Sequence, residues 1–249
     1  MACRYFMRLA YNGAPFHGWQ SQPNAISVQS TIERAMQTVM RQEVSITGAG
    51  RTDTGVNART MFAHFDTDKE IADTSRLIRA INSLTGRDIE IYSIFRVGDS
   101  AHARFDATSR TYKYFISTEH SPFDYNFCWT PPYQLDIEAM NRAAGRLKEF
   151  TDFTSFSKLH TDTLTNNCRI DHALWENDGA KAIFTITADR FLRNMVRAIV
   201  GTLVEVGRHR IDEQQFCDII EKKDRCAAGV SVPGNALFLW DIAYPYPTF

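Results

Sequence analysis

The chain has 249 residues, of which 44% are hydrophobic and 23% charged, and its formal net charge is −1. This length suits one large domain or two small ones of a soluble globular protein, and no apolar run approaches the ~20 residues of a membrane helix. The five cysteines are scattered without a CxxC and the seven histidines form no HExxH, so we expect a reducing, cytoplasmic compartment with no disulfide framework, metal site or small-molecule cofactor. The near-zero charge neither indicates nor excludes a nucleic-acid partner.

The first part of the chain predicts the order strand, helix, strand, strand, helix, strand. Residues 4–10 alternate as a strand, and Ser27 is placed to cap a helix with one apolar face. Further strands are predicted at residues 44–47, 60–66 and 89–97. A second helix is predicted before the last of these, with Leu77, Ile78, Ile81 and Leu84 on it.

The second part repeats that order. A strand is predicted at 109–117, a helix capped by Asp136, strands at 168–176 and 181–188 joined by a turn at 177–179, and an amphipathic helix at 191–206 ended by Gly207. Asp212 is placed to cap one more helix, and residues 236–244 form a last strand. The sequence therefore predicts an α/β (α+β) fold of two ferredoxin-like β-α-β-β-α-β halves, divided into domains 1–107 and 108–249.

The segment GAGRTDTGVNA, residues 48–58, holds an arginine and an aspartate within a glycine-rich loop. Asp53 is either a turn residue that hydrogen-bonds its own backbone or a chemical group presented by a rigid scaffold. A phosphate-binding P-loop is excluded because Val56-Asn57 stand where Lys and Ser/Thr are required, and the glycine spacing does not fit a dinucleotide fold. The tripeptide Asp53-Thr54-Gly55 occurs in aspartic proteases, which need two such carboxylates, so a protease would require a dimer.

Two other segments combine basic and aromatic residues. In residues 104–115, Tyr112 and Tyr114 share one face of a strand, where one packs in the core and the other is a candidate for stacking on a nucleobase. In residues 189–201, the arginines collect beside an apolar helix stripe, and Arg197 falls at its border, where a guanidinium needs a carboxylate partner. The loop PFHGWQSQ, residues 15–22, is open to either packing or RNA contact.

These motifs together resemble the TruA-type tRNA pseudouridine synthases. The resemblance covers nearly the whole chain, through FHGWQSQ, GAGRTDTGVNA, HFDT, ARFDATSRTYKY, DFTSFS and FLRNMVRAIVGTL in family order. It implies two related halves with mostly antiparallel sheets flanking a central cleft, and a homodimer. It also implies conversion of uridine to pseudouridine in the anticodon stem-loop of tRNA, at positions 38–40, without metal or cofactor.

By position, the resemblance implies that Asp53 is the catalytic aspartate and Arg51 its substrate-binding neighbour. It implies that Tyr112 stacks on the target base and that Arg197 forms an ion pair with the catalytic carboxylate. The chain departs from the usual family residues at Asn57, where histidine is common, and at residues 60–61, where Gly-Gln is common.

Pseudouridine formation needs no redox change, and one carboxylate can carry it, either as a nucleophile or by removing a ribose proton. We expect a flipped-out base, with Arg197 keeping Asp53 charged where water is excluded. We also expect the loop glycines to let the backbone approach RNA. The alternative is a non-catalytic RNA-binding module of paired ferredoxin-like units.

Overall fold

A computed structural model describes residues 3–158 and 164–248. Within these residues the strands are β1 (Cys3–Tyr11), β2 (Thr47–Gly48), β3 (Asn57–Thr67), β4 (Ile89–Arg96), β5 (Ser109–Ser117), β6 (Ile170–Asp178), β7 (Lys181–Ala188) and β8 (Leu237–Ala243). The α-helices are α1 (Val28–Met40), α2 (Thr74–Thr85), α3 (Ile137–Arg146), α4 (Met195–Gly207) and α5 (Glu213–Glu221). No helix of the described part is long and apolar enough to cross a membrane. The predicted α+β class is confirmed.

The chain divides into two compact units. The first contains the residues up to Thr108 together with those from Leu239 onward, and the second contains Ser109–Phe238. In the first unit the strand order is β4-β1-β3-β8, with β2 also paired to β3, and β1 is antiparallel to both of its neighbours. In the second unit the order is β5-β7-β6, again antiparallel. The ferredoxin-like description of the halves stays a prediction.

Most of the last strand, β8, belongs to the first unit, from Leu239 onward, whereas the predicted second domain, 108–249, included all of it. The Thr108 amide donates to the carbonyl oxygen of Ala243 at 2.8 Å. Beyond the strand, the hydroxyl of Tyr244 donates to the Ala103 carbonyl at 2.6 Å, and its ring packs edge-on against Phe62 with centroids 5.2 Å apart. The end of the chain is therefore part of the first core.

The helix starts follow the predicted capping residues. The side chain of Ser27 accepts a hydrogen bond from the Ser30 amide at 3.1 Å, and Asp136 and Asp212 cap α3 and α5 in the same way. Each cap satisfies an amide that has no partner within its own helix. The three predicted caps are confirmed.

The predicted strand at 44–47 is wrong for most of its length, because side chains of α1 bind its backbone. Glu33 accepts from the Ile46 amide at 3.0 Å, and Gln29 donates to the Ile46 carbonyl at 3.1 Å. Only Thr47 and Gly48 then pair with β3. At Ile46, side chains of a helix rather than a neighbouring strand bind the backbone amide and carbonyl.

The hairpin between β6 and β7 turns two residues later than predicted. Residues 177 and 178 lie in β6, with Asp178 opposite Lys181, so that the turn is Gly179-Ala180. Gly179 has φ +59°, a left-handed conformation that glycine adopts without steric cost.

Candidate active site

The loop that carries Arg51 and Asp53 joins β2 to β3 in the first unit. Asp53 is half-buried and Arg51 is exposed. The Val56 amide donates to the main-chain carbonyl of Asp53 at 3.1 Å, and Gly55 between them has φ +76°. This closes a tight turn directly after the aspartate, so the loop backbone is shaped by its own hydrogen bond.

A second loop, residues 12–26, lies against the Asp53 loop. The Trp19 amide donates to the Thr52 carbonyl at 3.2 Å, and the Gly55 amide donates to the Phe16 carbonyl at 3.4 Å. Gly18 has φ +91°, and a Cβ there would stand 2.5 Å from the Thr52 oxygen. Only glycine allows the two backbones to approach so closely, so this loop holds the one that carries the carboxylate.

The two large aromatics of the PFHGWQSQ loop are buried. Phe16 is 6% exposed and Trp19 is 2% exposed. The indole of Trp19 lies where a Cβ on Gly48 would stand, at 2.5 Å. Both side chains are therefore buried rather than exposed to a ligand, and Trp19 packs against Gly48 at the start of the Asp53 loop.

The expectation that the loop glycines open the backbone to RNA is wrong for Gly48, which is packed against the Trp19 ring. Gly55 supplies the left-handed conformation that the turn after Asp53 requires. At Gly50 a Cβ would meet no heavy atom within 4 Å, so this position, unlike Gly48, has open space beside it.

The departures from the family pattern lie on the inner side of this region. Asn57 is 1% exposed, and its side-chain amide oxygen Oδ1 accepts a hydrogen bond from the Gly13 amide at 2.8 Å. Gly13 itself has no room for a side chain, since a Cβ would stand 2.2 Å from the Val56 oxygen. Met61 is fully buried. Asn57 therefore ties the two loops together, and Met61 fills the core.

The two tyrosines of β5 have different surroundings in the second unit. Tyr114 is fully buried, and its hydroxyl donates to the Pro233 carbonyl at 3.1 Å. Burial raises the pKa of this phenol well above its usual value, against the opposing effect of the Arg197 charge. Tyr112 is half-buried and packs edge-on against Phe191, with ring centroids 5.1 Å apart. Tyr114 is thus the core residue of the pair, and Tyr112 is the one with an accessible ring.

Helix α4 begins at Met195, four residues later than predicted, because Asn194 adopts a left-handed conformation with φ +65°. Arg190 and Arg193 therefore precede the helix, and the predicted basic flank is wrong. Gly207 is the last helical residue and not a stop beyond it. The predicted apolar stripe is buried, and most of the helix surface around it is buried too.

Arg197 lies in the first turn of α4 and is half-buried. Its Nε donates to the Val232 carbonyl at 2.7 Å, and the Val232 amide donates back to the Arg197 carbonyl at 3.3 Å. A Cβ on Gly201 would stand 1.9 Å from the Val230 oxygen, so segment 229–233 lies directly on the helix. The guanidinium is therefore fixed in orientation by the segment before β8.

Segment 229–233 holds both the helix and strand β5, because Arg197 and Tyr114 bind its consecutive carbonyls, those of Val232 and Pro233. The sequence did not identify this segment as functional. A signal was present in Gly201 and Gly229, whose missing side chains permit the contact. Among the predicted site residues, Arg51 and Asp53 lie together in the first unit, and Tyr112 and Arg197 lie in the second.

In the described residues, no group of three His, Cys, Asp or Glu side chains is placed to hold a metal ion. A cluster of ionisable groups lies in the first unit, where Arg4 forms two hydrogen bonds of 2.8 Å to Asp66. Next to it, burial first and then the positive charges of His102 and Arg4 lower the pKa of His64 to about 4. This cluster is a structural ion pair beside a neutral histidine.

Known proteins match this chain over nearly its full length. A family model described as tRNA pseudouridine synthase matches residues 150–245. A tRNA pseudouridine synthase A of Parabacteroides distasonis is 56% identical over 246 residues, which cover 99% of this chain and 98% of the relative. The protein of the same name in Bacteroides fragilis is 52% identical over 247 residues, 99% and 98% of the two chains. That of Chlorobaculum tepidum is 39% identical over 239 residues, 96% of each. The chain therefore belongs to the TruA-type tRNA pseudouridine synthase family.

Proposed function

We propose that this protein converts uridine to pseudouridine in the anticodon stem-loop of tRNA, at positions 38–40, with Asp53 as the catalytic residue. The reaction class is that of its family: the chain is an isomerase that acts on tRNA uridine. The observation that carries this is 56% identity, over 99% of the chain, to a relative named tRNA pseudouridine synthase A. The position within tRNA and the role of each residue are the finer part of the proposal.

The reaction breaks the bond between uracil N1 and ribose C1′, turns the base, and joins C5 to C1′. The C5 proton is lost and N1 takes up a proton, so that the product is an isomer of uridine. Asp53 supplies the carboxylate, either by attacking the nucleoside or by removing a ribose proton. Its support is that the residue is half-buried on a loop whose backbone is fixed on both sides, by Trp19 at Thr52 and by Val56 at Asp53 itself. A carboxylate in a fixed position reacts without first having to be ordered.

Tyr112 is proposed to stack on the flipped-out base. Flipping a base out of its stack costs a few kcal/mol, and stacking on an aromatic ring returns about 1–3 kcal/mol. The half-buried ring of Tyr112, held edge-on by Phe191, supports this role. The neighbouring Tyr114 is excluded from it by complete burial.

The two arginines are given different roles. Arg197 is proposed as the ion-pair partner of the catalytic carboxylate, which keeps that group charged when water is excluded. Its support is a guanidinium held through Nε by Val232. Arg51, which is exposed beside Asp53, is proposed to contact a phosphate or to position the flipped nucleotide.

A homodimer and a cytoplasmic location complete the proposal. The homodimer follows from the family resemblance, and the location is expected from the cysteine pattern of the sequence. The location is also supported by the cysteines, which are free thiols, as is usual in a reducing compartment.

The test is one unmodified tRNA transcript with uridines at 38–40, incubated with the protein and mapped for pseudouridine at each uridine. We expect pseudouridine at one or more of these positions, and none in a matched transcript that carries cytidine there. A non-catalytic RNA-binding module would bind the transcript and leave every uridine unchanged, and pseudouridine only elsewhere in the transcript would contradict the proposed position.

A further inference from the structure

We propose that the hydroxyl pair of Tyr11 and Thr52 positions the carboxylate of Asp53, so that both residues set the rate of the chemical step without touching the substrate. This rests on the proposed function, which makes Asp53 the catalytic residue. The two hydroxyl oxygens lie 2.8 Å apart, and the residues are 5% and 7% exposed. Tyr11 ends the first strand, and Thr52 immediately precedes the aspartate.

Thr52 is held at its side chain and at its main chain. Tyr11 binds its hydroxyl, and the Trp19 amide donates to its carbonyl at 3.2 Å. Gly18 presses against the same carbonyl, where a Cβ would stand only 2.5 Å away. With both ends fixed, Thr52 cannot rotate about its backbone, and the start of Asp53 is fixed with it.

The hydrogen bond between Tyr11 and Thr52 is sensitive to substitution because both residues are buried. Removing the Tyr11 hydroxyl takes from the buried Thr52 hydroxyl the partner that lies 2.8 Å away, and the loss of a partner is costly for a buried polar group. The loop can relieve that cost by moving Thr52, and Asp53 would move with it. Since a displacement of about 1 Å at a reacting group costs on the order of 100-fold in rate, a smaller shift should cost about tenfold.

Tyr5 provides a matched control for a purely structural role. It lies on the same strand and on the same face as Tyr11, is 2% exposed, and accepts a hydrogen bond from the Ile71 amide at 2.9 Å through its hydroxyl. Tyr5→Phe therefore removes one partly buried hydroxyl hydrogen bond from the same sheet and leaves the Asp53 loop untouched.

The experiment compares Tyr11→Phe, Thr52→Val and Tyr5→Phe for turnover on tRNA, tRNA affinity and thermal unfolding. We expect kcat to fall about tenfold in Tyr11→Phe and Thr52→Val, with KM and the tRNA Kd within about twofold of wild type, as for a shifted reacting group. Tyr5→Phe should unfold at a similarly lowered temperature and keep its kcat. Equal kcat in Tyr11→Phe and Tyr5→Phe would overturn the proposal.

The double variant and a conservative variant test whether the two hydroxyls act as one unit. Tyr11→Phe/Thr52→Val should be no slower than the slower single variant, because both changes remove the same bond. Thr52→Ser, which keeps the hydroxyl, should recover most of the rate that Thr52→Val loses. If the kcat losses of the two single variants multiply in the double variant, the hydroxyls do not act as one unit. A Thr52→Ser variant as slow as Thr52→Val would contradict the inference as well.

Amide hydrogen exchange tests the same inference without turnover. The amides of Trp19 and Val56 bond to the carbonyls of Thr52 and Asp53, so Tyr11→Phe should speed their exchange and Tyr5→Phe should not. If the wild-type protein forms no pseudouridine, the proposed function fails, but exchange still decides whether the pair holds the loop. Unchanged exchange in Tyr11→Phe would overturn the inference alone.

Discussion

The loop that carries Asp53 and the helix that carries Arg197 are held in place by different means. Asp53 lies between main-chain hydrogen bonds contributed by a neighbouring loop, and close approach of the two loops depends on Gly13 and Gly18. Arg197 lies on a helix that is buried around most of its surface and is held by one segment, 229–233. The acid is thus placed by main-chain hydrogen bonds of two loops, and the cation by a buried helix together with a hydrogen bond to segment 229–233. Substitutions in the two regions should therefore differ in whether they lower the reaction rate or the free energy of unfolding.

The largest of the graded effects is expected at Arg197. Arg197→Lys keeps the charge but replaces a planar guanidinium by a point charge, and it removes the Nε donor that binds Val232. We expect kcat to fall by about 100-fold, or about 2.7 kcal/mol of transition-state stabilisation, measured as pseudouridine formed at saturating tRNA.

The control for this change is Arg208→Lys, at the far end of the same helix, where the guanidinium bonds to Glu205. It should leave kcat near the wild-type value. A wild-type rate in Arg197→Lys would show that the guanidinium does not serve the reaction.

A smaller loss is expected when the stacking ring is removed. Tyr112→Leu should lower kcat/KM by about 30-fold, since a base–aromatic stack is worth about 1–3 kcal/mol. Tyr112→Phe keeps the ring and should stay close to wild type. If Tyr112→Phe loses as much as Tyr112→Leu, the hydroxyl and not the ring is required, and the stacking role is wrong.

The third change tests the loop support. Gly18→Ala places a Cβ 2.5 Å from the Thr52 oxygen at a residue with φ +91°, so we expect a loss of about 1–3 kcal/mol in the free energy of unfolding. Gly50→Ala is the matched change, because a Cβ there meets nothing within 4 Å. Denaturant unfolding measures both, and equal midpoints for the two variants would contradict close loop packing.

The last prediction concerns pH and tests only the first unit. The pKa of His64 is lowered to about 4 in the folded protein, mainly by burial, so the unfolded chain binds a proton that the folded chain does not. The free energy of unfolding should therefore fall as pH drops from about 6.5 to about 4. His64→Gln should flatten that slope, and an unchanged slope would show that other groups produce it.

Local chemistry explains what could be predicted from the sequence. Ser27, Asp136 and Asp212 cap helices through bonds that span three residues, and strand alternation is also local. The family was recognisable because its motifs are short and ordered. The prediction failed where residues distant in sequence decide the structure. For example, the Ile46 amide donates to the side chain of Glu33 and not to a neighbouring strand.

The supports of the predicted site were missed for the same reason. The contact of Gly18 with Thr52 and that of Gly201 with Val230 join segments that no spacing pattern connects. The left-handed Asn194, which delays α4, depends on its own tertiary bond: its side chain donates to Ser231 at 2.6 Å. The reactive residue types could be named from sequence, but the residues that hold them required the fold.

Single-turnover release of tritium from tRNA labelled at uracil C5 tests the central claim most directly, with Asp53→Asn compared to wild type. Asparagine has nearly the same size but neither attacks nor accepts a proton as a carboxylate does. We predict tritium release by wild type and none by Asp53→Asn, with both proteins binding the tRNA at similar Kd. Release by a rigorously purified Asp53→Asn would show that the isomerisation does not depend on this carboxylate.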